Sequence, residues 1–329
     1  MKVSELGEFG LIDLLAKMIA GAGINEADPD LIIGIGDDTA AWRCKDSMQL
    51  ATVDTMVQDI HFTLETIPWQ ELGWKSLAIN LSDVAAMGGI PRYALVALAL
   101  PDNTDVEDIT GLYKGMIDIS KKYKIAIAGG NISRAPQVSV TVTVLGSSTN
   151  KTLLKRSTAK PGDKIAVTGY TGSAAAGLEM LTKKLKFKPD VTACFREAFL
   201  HPQPRIVEAQ VLVKNGITTA IDTSDGLLSD LRHICEASKV KAIVNTGSLP
   251  IHNNVKASFS KKALEMALGG GEDYELLFTG KPGTVEKVRD EIKYPVTIIG
   301  EIIEGPPEIS LLDTKGNPVK IGKTGWVHF

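Results

Sequence analysis

Acidic side chains recur in this chain where apolar runs end and glycines begin. Gly36-Asp37-Asp38 follows the apolar run Leu31 to Ile35, and Thr52-Val53-Asp54 closes the next one. Asp83 lies in a helical stretch in which Ser76, Asn80, Asp83 and Met87 share one face through spacings of 4, 3 and 4. Asp222-Thr223-Ser224-Asp225-Gly226 joins a strand to a helix, and Gly269-Gly270-Gly271-Glu272-Asp273 precedes another strand. One such acid is ordinarily a turn former or a helix cap. Five similar settings point instead to a ligand site, because α/β proteins bind ligands at strand ends. Acids that converge cannot all stay ionised unless something positive sits between them, since like charges raise each other's pKa. All-oxygen donors suit hard cations, Mg2+ above all, which bridges carboxylates to substrate phosphates. The chemistry implied is that of a polyphosphate such as ATP.

Conventional nucleotide motifs do not account for it. Gly316 to Thr324 has the wrong glycine spacing for a P-loop and no room for the helix that should follow. Gly34-Ile35-Gly36 lacks the third glycine of a dinucleotide fingerprint, and the paired motifs of a protein kinase are missing. The 36 basic and 39 acidic side chains nearly balance, which disfavours a nucleic-acid binder. Cys44, Cys194 and Cys235 lack metal-ligand spacing. Tyr93 to Leu100, the longest apolar run, falls far short of the ~18 residues of a membrane span. The start of the chain lacks a signal-peptide layout, so a cytoplasmic protein is expected.

The elements that must position these acids are legible in outline. Leu11, Leu14, Leu15, Met18 and Ile19 predict a first amphipathic helix. Strands are predicted at Leu31 to Ile35, Leu50 to Val53, Tyr93 to Leu100, Ile125 to Ala128 and Val138 to Leu145, with helices around Leu72 to Met87 and Val106 to Tyr123. Asn150 to Gly162 is rich in Lys, Thr, Ser, Pro and Gly and reads as a connection, which places a domain boundary near residue 150. Beyond it a strand at Lys164 to Thr168, helices at Ala174 to Leu181 and Ile206 to Lys214, and a strand ending at Ile221 are predicted. A helix from Leu227 to Cys235, strands at Ala242 to Asn245 and Glu275 to Phe278, and short terminal strands near Gly305 follow. The expectation is an α/β chain with mixed sheets in two domains, 1–150 and 151–329.

The motifs, in order, resemble the thiamine-monophosphate kinase family, within the superfamily of aminoimidazole ribonucleotide synthetase and selenophosphate synthetase. The resemblance is carried by Gly34-Ile35-Gly36-Asp37-Asp38, by Thr52-Val53-Asp54 with His61-Phe62, and by Asn80-Leu81-Ser82-Asp83-Val84-Ala85-Ala86-Met87-Gly88. It continues through Ile221-Asp222-Thr223-Ser224-Asp225-Gly226-Leu227, Gly270-Gly271-Glu272-Asp273-Tyr274-Glu275-Leu276 and Gly325-Trp326-Val327-His328-Phe329. The resemblance implies transfer of a phosphoryl group from ATP to thiamine monophosphate, assisted by several Mg2+ ions. It also implies an N-terminal domain that forms a homodimer and a C-terminal α/β domain that completes the site.

Carried over by position, Asp37, Thr52, Asp54, Asp83 and Asp222 would hold Mg2+, and Asp225 a further ion. Tyr113, Gly130, Arg156 and Ser224 would contact ATP, and His61, Glu272 and Trp326 the thiamine phosphate. Two positions depart from the family pattern. Asn131 stands where an aspartate is usual, so it offers a carbonyl oxygen without charge, and Val53 offers a metal only its main-chain oxygen. A sibling synthetase, or a nucleotide- or thiamine-phosphate-binding protein without turnover, are the other readings.

Overall fold

The computed structural model describes residues 10, 12, 17, 30–149, 152–322 and 325. The predicted first helix, resting on Leu11, Leu14, Leu15, Met18 and Ile19, falls outside them. A first sheet is formed by β1 (Leu31–Ile33), β2 (Ala40–Cys44), β3 (Ser47–Val57), β4 (Ile90–Leu100), β5 (Ala126–Arg134) and β6 (Ser139–Ser148), in the order β1-β2-β3-β6-β4-β5. The β4–β5 pair is parallel and its neighbours are antiparallel. β6 alternates through Val140, Val142 and Val144, all buried, as a strand with one covered face must.

Two helices cover that face. α1 (Trp69–Ala86) contributes Leu72, Leu77, Leu81 and Val84 to the core, and α2 (Val106–Tyr123) contributes Leu112, Met116 and Ile119. The first turn of α2 holds Glu107 and Asp108 and its last turn holds Lys121 and Lys122, each matched to the helix dipole. The opposite sheet face leaves Val53, Tyr93 and Leu95 exposed by 58%, 53% and 42%.

The second sheet contains β7 (Lys164–Thr168), β8 (Thr219–Asp222), β9 (Lys241–Asn245), β10 (Leu276–Gly280), β11 (Val296–Ile303) and β12 (Ile309–Leu312), in the order β12-β9-β11-β7-β10-β8. Its helices are α3 (Ser173–Thr182), α4 (Pro189–Leu200), α5 (Ile206–Lys214), α6 (Leu227–Ser238), α7 (Asn253–Phe259), α8 (Ala263–Gly269) and α9 (Pro282–Glu291). Ile165 and Val167 pack on α6, whereas Ala166 faces the core lined by α5 and α9, so β7 is apolar throughout rather than alternating. The last turn of α1 enters that second core through Ala85 and Ala86. One helix thus serves both sheets, and this fixes where its polar residues meet the second half of the chain.

β2, α4, α7, α8 and α9 were not anticipated, and β3 and β5 run past their apolar spans. A strand ladder is made by the backbone, so Asp54 to Val57 and Gly129 to Arg134 continue it although polar residues and glycines interrupt their apolar side chains. The connection around residue 155 is not an exposed tether, since Leu153 and Leu154 are buried. Among the described residues no helix is long and apolar enough to cross a membrane.

Candidate active site

Side chains on β3 alternate, so Leu50, Thr52, Asp54 and Met56 face α1 while Val53 and Thr55 face away. α1 returns polar groups to that face. The Asp54 main-chain N–H donates to Asn80 Oδ1 at 3.0 Å, and Thr52 Oγ1 donates to Asp83 Oδ2 at 2.6 Å. β8 ends at Asp222, whose Oδ2 accepts from Ser82 Oγ of α1 at 2.5 Å. Asp38 arrives from the turn after β1, and carboxylate oxygens of Asp38, Asp83 and Asp222 lie within 4.8 Å of one another.

Burial and mutual repulsion dominate the electrostatics. Burial, followed by Asp54, Asp222 and Asp38, drives the Asp83 carboxyl well above the usual carboxylate range. Burial, then Asp38, pushes Asp222 up to about 7, opposed by the Ser82 hydroxyl and by Arg156. Asp38 and Asp54 are also raised, with burial the largest cause in each. Asp83 sits in the last turn of α1, which carries no basic residue, so the helix dipole disfavours its charge as well.

The counter-charge is Arg156. It lies in the 3-10 turn Arg156–Thr158, hydrogen-bonds Asp38 Oδ1 through Nη2, and keeps Nε 3.8 Å from Asp37 Oδ1. Its main-chain N–H donates to Asp37 Oδ2 at 3.4 Å. A single guanidinium does not offset this group of acids, and Asp38 Oδ2 is buried without a hydrogen-bond partner. An orphaned carboxylate oxygen beside two further carboxylates is a donor set for a hard divalent cation.

The expected residues divide. The structure brings Asp54, Asp83 and Asp222 together with Arg156, and it places Asp38 rather than Asp37 in the tight cluster. Asp37 faces Arg156, and burial and its neighbour Asp38 push it up to about 6. Adjacent acids are indistinguishable by sequence; both side chains are buried against Arg156, and Asp38 is the one whose oxygen joins those of Asp83 and Asp222. Asn131 is not brought to the cluster. It pairs with Ala97 on the exposed face, whereas Asp54 pairs with Val142 on the covered one. The Val53 side chain points to that exposed face too, a direction independent of its main-chain oxygen, the expected donor.

The other expected residues lie on several different elements. Ser224 and Asp225 occupy the turn between β8 and α6, and the Ser224 carbonyl accepts from the Glu272 N–H at 2.7 Å. Half-buried His61 lies in the turn after β3, its Nδ1 accepting from the Val57 N–H at 3.0 Å. Tyr113 lines a cavity of about 540 Å3 with Ile109, Ile132 and Arg134. Gly130 has a structural reason of its own, since a side chain there would strike the Val96 carbonyl of the paired strand. Trp326 lies outside the described residues. Gly325, however, packs where a Cβ would meet Ser229 and the Asp225 main chain, so this point of the chain lies on the acidic turn.

The Ser- and Ala-containing stretch from Gly172 to Gly177 serves close packing, a Cβ at either glycine meeting α8 or α4, and the α3 N-terminus is filled from within. Asp273 accepts from Gly172 N–H at 2.6 Å and Ala174 N–H at 3.0 Å. Sequence reasoning missed Asp38, Ser82 and Asp230 as members of the site. Asp230 accepts from the Gly226 N–H at 3.1 Å, and burial, then Asp225 and Asp222, drive it well above the carboxylate range. Ser82, polar beside Asp83 in a helix that also buries Ser76 and Asn80, was the signal available.

Residues 36–148 match the family described as AIR synthase related protein, N-terminal domain, and residues 160–312 match its C-terminal domain. The thiamine-monophosphate kinase of Bacillus subtilis (strain 168) is 37% identical over 306 residues, spanning 90% of this chain and 93% of that protein. This chain belongs to the thiamine-monophosphate kinase family. The thiamine-monophosphate kinase of Aquifex aeolicus (strain VF5) is 34% identical over the full length of both chains. The solved structure of AaThiL complexed with AMPPCP and TMP superposes with a TM-score of 0.86 at 32% identity, covering 100% of this chain and 99% of that one. The two-sheet α/β architecture is therefore that of the thiamine-monophosphate kinase family.

Proposed function

We propose that this protein transfers the γ-phosphoryl group of ATP to the phosphate of thiamine monophosphate, giving ADP and thiamine diphosphate by in-line displacement. The observation that carries the reading is the convergence of Asp38, Asp83 and Asp222 from separate elements, beside Asp54 and Arg156. The relative complexed with AMPPCP and TMP supports the choice of ligands.

The donor set fits Mg2+, because it is all oxygen, strongly anionic and contains the partnerless Asp38 Oδ2. Asp38, Asp54, Asp83 and Asp222 would hold it, with Thr52 orienting Asp83, Asp37 beside Arg156, and Asp225 placed for a further ion. When bound, Mg2+ supplies charge neutralisation and alignment of phosphate oxygens. Arg156 has the planar fork that suits a phosphate, and it can exchange its carboxylate partners for one. Tyr113, Gly130 and Ser224 complete the ATP contacts, the Tyr113 cavity being large enough for a nucleoside. His61 and Glu272, with Trp326, are assigned to thiamine monophosphate. The acceptor is a phosphate oxygen already ionised near neutral pH, so no general base is required. The exposed apolar face carrying Val53, Tyr93 and Leu95 supports a homodimer through the N-terminal domain.

The test is a product assay with purified protein, ATP, Mg2+ and thiamine monophosphate. Thiamine diphosphate and ADP in equal amounts are expected; ADP release with no dependence on the acceptor would sink the proposal.

A further inference from the structure

The largest fully buried side chain among the described residues is a lysine. Lys75, on α1, has 0% exposure, and burial pulls its pKa below the ordinary lysine value. A position that served packing alone would carry leucine or methionine, because a buried ammonium is costly unless paired. Its Nζ makes a 2.8 Å ion pair with Glu272 Oε1 and stands 3.6 Å from the centre of the Phe199 ring. α1, α4 and the loop before β10 thus meet at one charge, with the aromatic face as its floor.

Glu272 is built the opposite way. Its side chain is 28% exposed, and its φ of 71° lies in the left-handed region that non-glycine residues rarely adopt. The loop is clamped there: Glu272 N–H donates to the Ser224 carbonyl at 2.7 Å, and Tyr274 N–H to the Thr223 carbonyl at 2.9 Å. Buried Tyr274 feels Glu272, Asp54, Asp222 and Asp83 together, so this loop borders the acidic cluster. With Lys75 taking Oε1 from below, Oε2 is left for a ligand.

We infer that Lys75 is a positioning residue for thiamine monophosphate, holding the Glu272 carboxylate so that Oε2 meets the cationic thiazolium or the amino group of the pyrimidine. The inference rests on the proposed assignment of Glu272 to that substrate. Because the pair is dry on its Lys75 side, the ammonium offsets the repulsion between Glu272 and the neighbouring aspartates with little screening by solvent. The proposed ATP contacts Tyr113, Gly130, Arg156 and Ser224 do not include this pair.

The experiment is steady-state kinetics on the full chain with each substrate varied in turn. Lys75→Met should raise KM for thiamine monophosphate about tenfold or more while KM for ATP stays within about twofold. Glu272→Gln should show the same split, and the double variant should be no worse than Glu272→Gln alone, because Lys75 acts through Glu272. Additive losses, or equal rises in both KM values, overturn the inference. Should the lone Glu272 charge prevent Lys75→Met from folding, the double variant, which buries no charge there, is compared with Glu272→Gln. Matching KM values support the inference; a further loss of about tenfold, or failure of the double variant to fold, assigns Lys75 to the core and overturns it. Wild-type turnover of thiamine monophosphate with an overturned cycle rejects Lys75 alone, whereas no wild-type product rejects the proposed function as well.

Discussion

Ser82 of α1 donates a 2.5 Å hydrogen bond to Asp222 at the end of β8, so the helix that covers the first sheet directly holds an acid of the second. Both residues are buried, at 1% and 2% exposure, and the bond opposes the rise in the Asp222 pKa. Ser82→Ala should therefore destabilise the chelator-treated protein by about 1–3 kcal/mol at neutral pH, the cost of removing a partner from a buried charged acceptor. Urea denaturation with EDTA measures this. An unchanged midpoint and slope would mean that Asp222 does not depend on the bond.

The raised pKa of Asp222 makes a signed prediction for stability. Its folded value of about 7 lies above the ordinary 3.8, so its contribution is fully present below the ordinary value and is lost as pH rises through about 7. Asp222→Asn stays neutral throughout. Without divalent ions the variant should become more stable than wild type between pH 4 and 7.5, by up to a few kcal/mol, the scale set by ~1.4 kcal/mol per pKa unit. Adding Mg2+ at pH 7.5 should raise the wild-type Tm and leave the variant nearly unmoved. A gap independent of pH would contradict the assignment.

Asp54 is fixed through its main chain to Asn80 and through its side chain to Asp83. Asp54→Ala should lower kcat at least about a hundredfold, as expected when an electrostatic anchor of the transition state is lost. Circular dichroism should report an intact fold. Near-normal kinetics would remove Asp54 from the site.

Arg156 reaches Asp38 and Asp37 at once, which a fork permits and a point charge does not. Arg156→Lys should raise KM for ATP about tenfold, with KM for thiamine monophosphate little changed. Equal effects on both substrates would show that Arg156 only tethers the acids.

The open sheet face predicts an association. Leu95→Arg, at a position 42% exposed, should convert a dimer to a monomer in analytical ultracentrifugation, with the Tm within a few degrees of wild type. A monomeric wild-type chain would refute the dimer directly.

Much of the fold was legible because local patterns sufficed. Val106–Tyr123 and Ile206–Lys214 are helices where the sequence places them, and β6 alternates as its apolar pattern requires. α4, α7, α8 and α9 were not legible, because a brief apolar stretch interrupted by charges, such as Cys194 to Leu200, is ambiguous without its packing partners. β5 was read too short because Gly129 to Arg134 carries few apolar residues, although the backbone ladder with β4 continues to its end.

For the site, residue type and order alone determined that acids recur beside glycines at strand ends and which family the chain resembles. Distances across the chain were decided by the tertiary structure. Ser82 and Asp222 are 140 residues apart in sequence and meet only because α1 is shared between two cores. Asp38 rather than Asp37 joins Asp83 and Asp222, Asn131 falls on the far side of the sheet, and Lys75 is buried beneath Glu272. Strand parity and the direction of a turn are set by packing, and a change of one residue in either reverses the face on which a side chain appears.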